Sequence, residues 1–199
     1  MKQKSIGVFL LLICVFPKFV YGHGGLEGAN GGYNGFLHPL FVPAHILVIL
    51  SLGVLLGLQP QNYLKLTIVS FLVSCALGLL LTLMSSNINL EPQLLVLSIV
   101  LGLLIAIDYQ LSVGFYVFFA IVTGLLLGVD SEHQELSSKE KYLTLMGCWV
   151  GIWTCLSAVL IIAEKMNKKE WQKIALRIIG SWIATCAILV VSLLIFAKK

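Results

Sequence analysis

Two histidines and two prolines crowd the stretch GFLHPLFVPAH, residues 35–45. Neutral imidazole nitrogens are donors suited to divalent transition metals. His38 and His45 are seven residues apart, so on a regular helix they share a face about two turns, or ~10 Å, apart along the axis. That is too far for one ion to bind both directly. Pro39 and Pro43 each remove a backbone donor, and Pro43 is expected to kink the helix. Carbonyls freed at membrane depth need protein or water partners. Two imidazoles beside a proline-broken helix therefore point to a polar pocket. The competing expectation is two interfacial histidines satisfied by backbone and water.

Other residues could join them. Asp130, Glu132 and His133 follow an apolar run. For Glu132 and His133 a solvated loop is the expectation, because exposed charge is the usual case. His23 would offer an amine and an imidazole together if a leader were cut before it. Its glycine neighbours make it a flexible capture group, or simply a terminal histidine. Cys148 and Cys155 share a helix face, and thiolates favour soft metals. No neighbouring cation favours the thiolate, so packing is the expected role. Asp108 sits between two apolar runs, where a solvated turn competes with an exit path. Trp149, Trp153, Trp171 and Trp182 read as interfacial anchors or packing residues. No nucleophile elbow, H-E-x-x-H or phosphate-binding loop is present, so the chain does not read as an enzyme or a nucleotide-driven pump.

The elements that must position these groups are membrane helices. The chain has 199 residues, of which 59% are hydrophobic and only 11% charged. A soluble domain carries roughly 25% charged residues, so most of this surface is expected to face lipid. The formal charge of +4 does not mark a nucleic-acid binder. Lys2 and Lys4, the apolar run Ile6 to Phe16 and the small residues before His23 read as a secretory signal, residues 1–22. A retained first span is the rival reading, but the run before Pro17 is short for one. Residues 23–35 are polar and glycine-rich, which suggests a flexible extracytoplasmic segment. The rest, 36–199, reads as a transmembrane domain with six apolar runs at about 36–58, 63–84, 93–107, 109–128, 143–162 and 174–196. The runs are continuously apolar, so the fold class is all-α, a bundle of about six spanning helices. The third and fourth runs form a tight hairpin or one broken segment. The loop into the last run carries Lys165, Lys168, Lys169 and Lys173, with Arg177 at the start of that run, so that loop is expected on the cytoplasmic side and the mature N-terminus outside. Gly78, Gly102, Gly114, Gly124, Gly128 and Gly151 would let helices pack closely.

Residues Gly35-Phe36-Leu37-His38-Pro39 with His45 resemble the first-helix signature of the HupE/UreJ family, G-F-x-H-P-x-x-G-x-D-H. Val42 stands at the glycine and Ala44 at the aspartate. The family's later motif, H-G-x-x-H-G-x-E, aligns with residues 123–130. Gly124 and Gly128 match and Asp130 stands for the glutamate, but Thr123 and Leu127 replace both histidines. The family comprises bacterial membrane proteins associated with nickel or cobalt uptake for hydrogenase and urease. The resemblance implies a multi-pass protein of the bacterial cytoplasmic membrane. It would be a nickel or cobalt permease, or an accessory protein of metalloenzyme maturation. His38 and His45 would be the central ligands, Asp130 an outer carboxylate and His23 the capture group. Copper and zinc are the other candidate metals, and no tightly bound cofactor is implied. The partners implied are the bilayer, the ion and either a second copy or a maturation partner. Loss of the two histidines at 123 and 127 motivates the alternative: a non-transporting scaffold or metal sensor on the same fold.

Overall fold

A computed structural model describes residues 31–83, 89–131 and 138–197. The proposed signal, His23, Glu132 and His133 lie outside these residues. The described residues form seven helices in order: α1 (Gly31–Phe41), α2 (Pro43–Leu58), α3 (Gln61–Leu81), α4 (Glu91–Ala106), α5 (Val113–Asp130), α6 (Ser138–Met166) and α7 (Glu170–Ala197). No strand occurs among the described residues. The all-helical expectation is met.

The first apolar run is two helices, not one. Val42 is extended (φ −94°, ψ 113°) and Pro43 opens α2. Proline disfavours the helical region for the residue before it. Pro43 itself, without an N–H, loses nothing at the first position of a new helix. The result is a 73° bend between α1 and α2. The same device ends α2: Gln59 is extended ahead of Pro60. The glycine-rich stretch also departs from expectation, since residues 31–35 are already helical. Their missing side chains let α1 lie directly on α6. A Cβ on Gly35 would strike the Thr144 carbonyl, and one on Gly151 the Phe36 carbonyl.

Among the described residues, four helices are long and apolar enough to span a bilayer, namely α3, α5, α6 and α7. The bent pair α1–α2 makes a fifth if taken as one broken span. The third expected run, α4, has 16 residues and is about 24 Å long, short of the ~30 Å hydrocarbon core. Asp108 (φ 55°) separates α4 from α5, which are distinct helices and not one broken segment.

The central helix is α2. Eleven of its sixteen residues are buried, and Ser51 to Gly57 are buried on every side of the helix. It packs mainly on α6 and α4, with α1, α5 and α7 completing the surround. The outer pairs are α3 with α5, α1 with α6, and α4 with α7. Small residues carry each crossing: Gly78 meets Gly128, and Gly102 meets Gly180. Gly114 is the exception, since a Cβ there would meet nothing closer than 4.0 Å. The exposed apolar side chains, such as Trp182, Leu189 and Phe196 on α7, face outward as lipid-facing surface.

The glycine contacts also give relative directions. Gly31 lies near Glu140, Gly35 near Cys148 and Gly57 near Ala163, so α1 and α2 both run in the same sense as α6. Gly124 lies near Phe71 and Gly128 near Leu79, so α3 and α5 are parallel. Gly102 lies near Ala184 while Arg177 reaches Ala106, so α4 and α7 are antiparallel. One end of the bundle holds the α1–α2 bend, the start of α4 and the end of α5. The other holds Lys165, Lys168, Lys169, Lys173 and Arg177.

Candidate functional site

The bend at Val42 places His38 and His45 against each other. Their ring centroids are 5.2 Å apart, at 75° between planes. The expected separation of about two helical turns does not apply, because no continuous helix connects them. His38 is carried by the last turn of α1 and is partly buried. His45 is in the first turn of α2 and is fully buried.

The third sequence-derived residue converges on the same point. His45 Nε2 lies 2.9 Å from Asp130 Oδ2, at the end of α5. The other carboxylate oxygen, Oδ1, accepts the Leu90 backbone N–H at 2.7 Å. Leu90 is the residue preceding α4, whose free N–H groups and positive dipole end favour an anion. Asp130 therefore ties α2, α4 and α5 together. Leu90 contributes only a backbone group, and no side-chain pattern in the sequence marks it.

The chemistry of His45 follows from its partner. A carboxylate only accepts, so Nε2 carries the proton. In the neutral ring Nδ1 then bears a lone pair. Nδ1 is buried and has no hydrogen-bond partner among the described residues. Leaving such an atom unpaired costs free energy, and buried polar groups are rarely left so. A carboxylate that fixes an imidazole through one nitrogen while the other is free is the outer-shell pattern of metal-binding histidines.

The second motif is closed to chelation. The Thr123 hydroxyl donates to Phe119 O of its own helix at 2.7 Å. Leu127 is fully buried in the core. Among the described residues, no three His, Cys, Asp or Glu side chains are arranged to hold an ion together. Cys75 and Cys148 are buried in the core, consistent with packing. Trp149 donates Nε1 to Leu72 O at 3.2 Å, joining α6 to α3. It acts here as a helix-to-helix tie, not an interfacial anchor.

A search of curated proteins and a search of solved structures each returned no match. The family model described as HupE / UreJ protein matches residues 11–190. That match spans both the histidine helices and the α5 segment ending in Asp130, and the chain belongs to the HupE/UreJ family.

Proposed function

We propose that this protein is a nickel or cobalt permease of a bacterial cytoplasmic membrane, with His38 and His45 as the ligands that receive the ion. The observation that carries the reading is His45 Nδ1, buried and without a hydrogen-bond partner among the described residues, its ring 5.2 Å from a second imidazole. The ion is cargo, so a two-imidazole site completed by water suits the task better than a closed four-ligand cage. Asp130 orients His45 and is not itself the first choice of ligand, because its two oxygens already hold His45 and Leu90. His23 would deliver ions from the mature N-terminus.

Six crossings are the topology this reading requires. The antiparallel pairing of α4 with the long α7 supports counting α4 as a crossing despite its length. The basic end then faces the cytoplasm, and the histidines face outward. Between the histidines and the basic end, Val48, Leu52, Leu55 and Leu56 of α2 are at most 2% exposed. Passage must therefore involve movement of α2 or its neighbours.

The test is nickel and cobalt accumulation in cells expressing the wild type, His45→Ala or His38→Ala. Uptake above empty cells is expected for the wild type alone. Equal uptake by wild type and His45→Ala would remove His45 from the path. The second reading, a metal sensor or scaffold, is favoured by Thr123 and Leu127, which close the second motif. Metal-dependent stabilisation of the purified protein without any accumulation in cells would select it.

A further inference from the structure

Asp108 breaks two local rules at once. It follows the capping residue of α4 with φ 55°, a left-handed conformation that normally selects glycine. The backbone there closes in a Schellman pattern: Asp108 N–H donates to Ile105 O at 3.1 Å, and Tyr109 N–H to Leu104 O at 3.2 Å. Arg177 Nε caps Ala106 O at 3.0 Å. The turn is thus complete without the Asp108 side chain, which joins no hydrogen bond or ion pair among the described residues. The carboxylate also sits at the negative end of the α4 dipole, where anions are disfavoured. A glycine would relieve both conflicts. Conflicts between local chemistry and local structure concentrate at functional sites.

Asp108, exposed at the surface, is one of the residues lining an open cavity of about 260 Å³ at the basic end of the bundle. Leu55, Leu58 and Leu104 form its apolar wall, and Tyr109, Gln110, Tyr116, Asn167 and Lys173 complete it. This volume accommodates a cation with several waters, at ~30 Å³ each. The field of the carboxylate and that of the α4 carbonyl end oppose each other's stability but add together within the cavity. Phenol, amide and carboxylate oxygens are donors for hard or hydrated divalent cations. Lys173 opposes a cation, yet its ammonium is held 2.9 Å from Glu170 Oε1.

We infer that this cavity is a second, low-affinity divalent-cation site, built on Asp108 and separated from the histidines by the apolar stretch of α2. Under the transport reading, on which only this role rests, it is where cargo pauses before release. Binding itself does not depend on that reading. Lys173 sets the affinity low, and Glu170 keeps Lys173 off the carboxylate.

The experiment uses full-length protein in detergent with Mn²⁺, an oxygen-preferring cation followed by electron paramagnetic resonance. His38→Ala/His45→Ala protein should bind Mn²⁺ as the wild type does. Asp108→Asn, which tolerates the same backbone, should weaken binding about tenfold or more. Lys173→Gln should tighten it about two- to fivefold, the effect of one partly screened charge. Asp108→Gly should lose the site while unfolding at the same or a higher temperature than the wild type. Undiminished binding in Asp108→Asn, or no weak Mn²⁺ site in the wild type, overturns the proposal. Failure of nickel uptake with this site intact would count against the transport reading alone.

Discussion

At the residue scale, the His45–Asp130–Leu90 chain is the feature most open to test. Asp130→Asn leaves an acceptor for His45, but its amide must then face either a second donor or the Leu90 N–H. Thermal unfolding in detergent should show a loss of about 1–3 kcal/mol, the cost of a buried donor or acceptor left unmatched. Affinity for nickel should fall about 10–100-fold, the usual effect of removing a partner that orients a ligand histidine. Unchanged affinity by isothermal titration would show that Asp130 serves structure only. The three residue types were legible in the sequence because ionisable groups are rare in apolar runs. Their relation was not, because the sequence places them on different helices and Leu90 acts through its backbone.

At the element scale, the bend at Val42–Pro43 and the glycine contacts decide the architecture. Pro43→Ala removes the reason for Val42 to stay extended. We expect a folded protein with similar helicity by circular dichroism but weaker nickel-dependent stabilisation, as the histidines drift apart. Full stabilisation in this variant would assign the bend to tertiary packing and not to the proline. Gly35→Ala puts a methyl against the Thr144 carbonyl, a backbone atom that cannot step aside. Its cost should be about 1–3 kcal/mol by thermal unfolding. Gly114→Ala meets open space and should be neutral or stabilising by up to about 1 kcal/mol. The two glycines look alike in the sequence, and only packing separates them. Similarly, residues 31–35 read as a flexible segment by composition. The α6 surface instead uses their lack of side chains to bring α1 into contact.

At the scale of the whole molecule, the prediction concerns sidedness. In a protein stripped of its native cysteines, a cysteine at Lys168 should react only with a reagent that reaches the cytoplasm. A cysteine at Asn89 should react with an impermeant reagent added outside. Labelling of both from the same side would remove α4 as a crossing and reduce the span count to five. The two candidate cation sites, at opposite ends of α2 and separated by a dry apolar stretch, fit a molecule that exposes one end at a time.

The sequence by itself determined the membrane-helical class, the family and the identity of His38, His45 and Asp130, because composition, apolar run length and short motifs are local properties of the chain. It also marked Pro43 as a break. Tertiary structure decided how far the break turns the chain, since a 73° bend is set by what α1 and α2 pack against. It decided the 5.2 Å approach of the imidazoles, the contact of Asp130 with His45 and the closing of positions 123 and 127. These are distances between helices, and no periodicity within one helix encodes them.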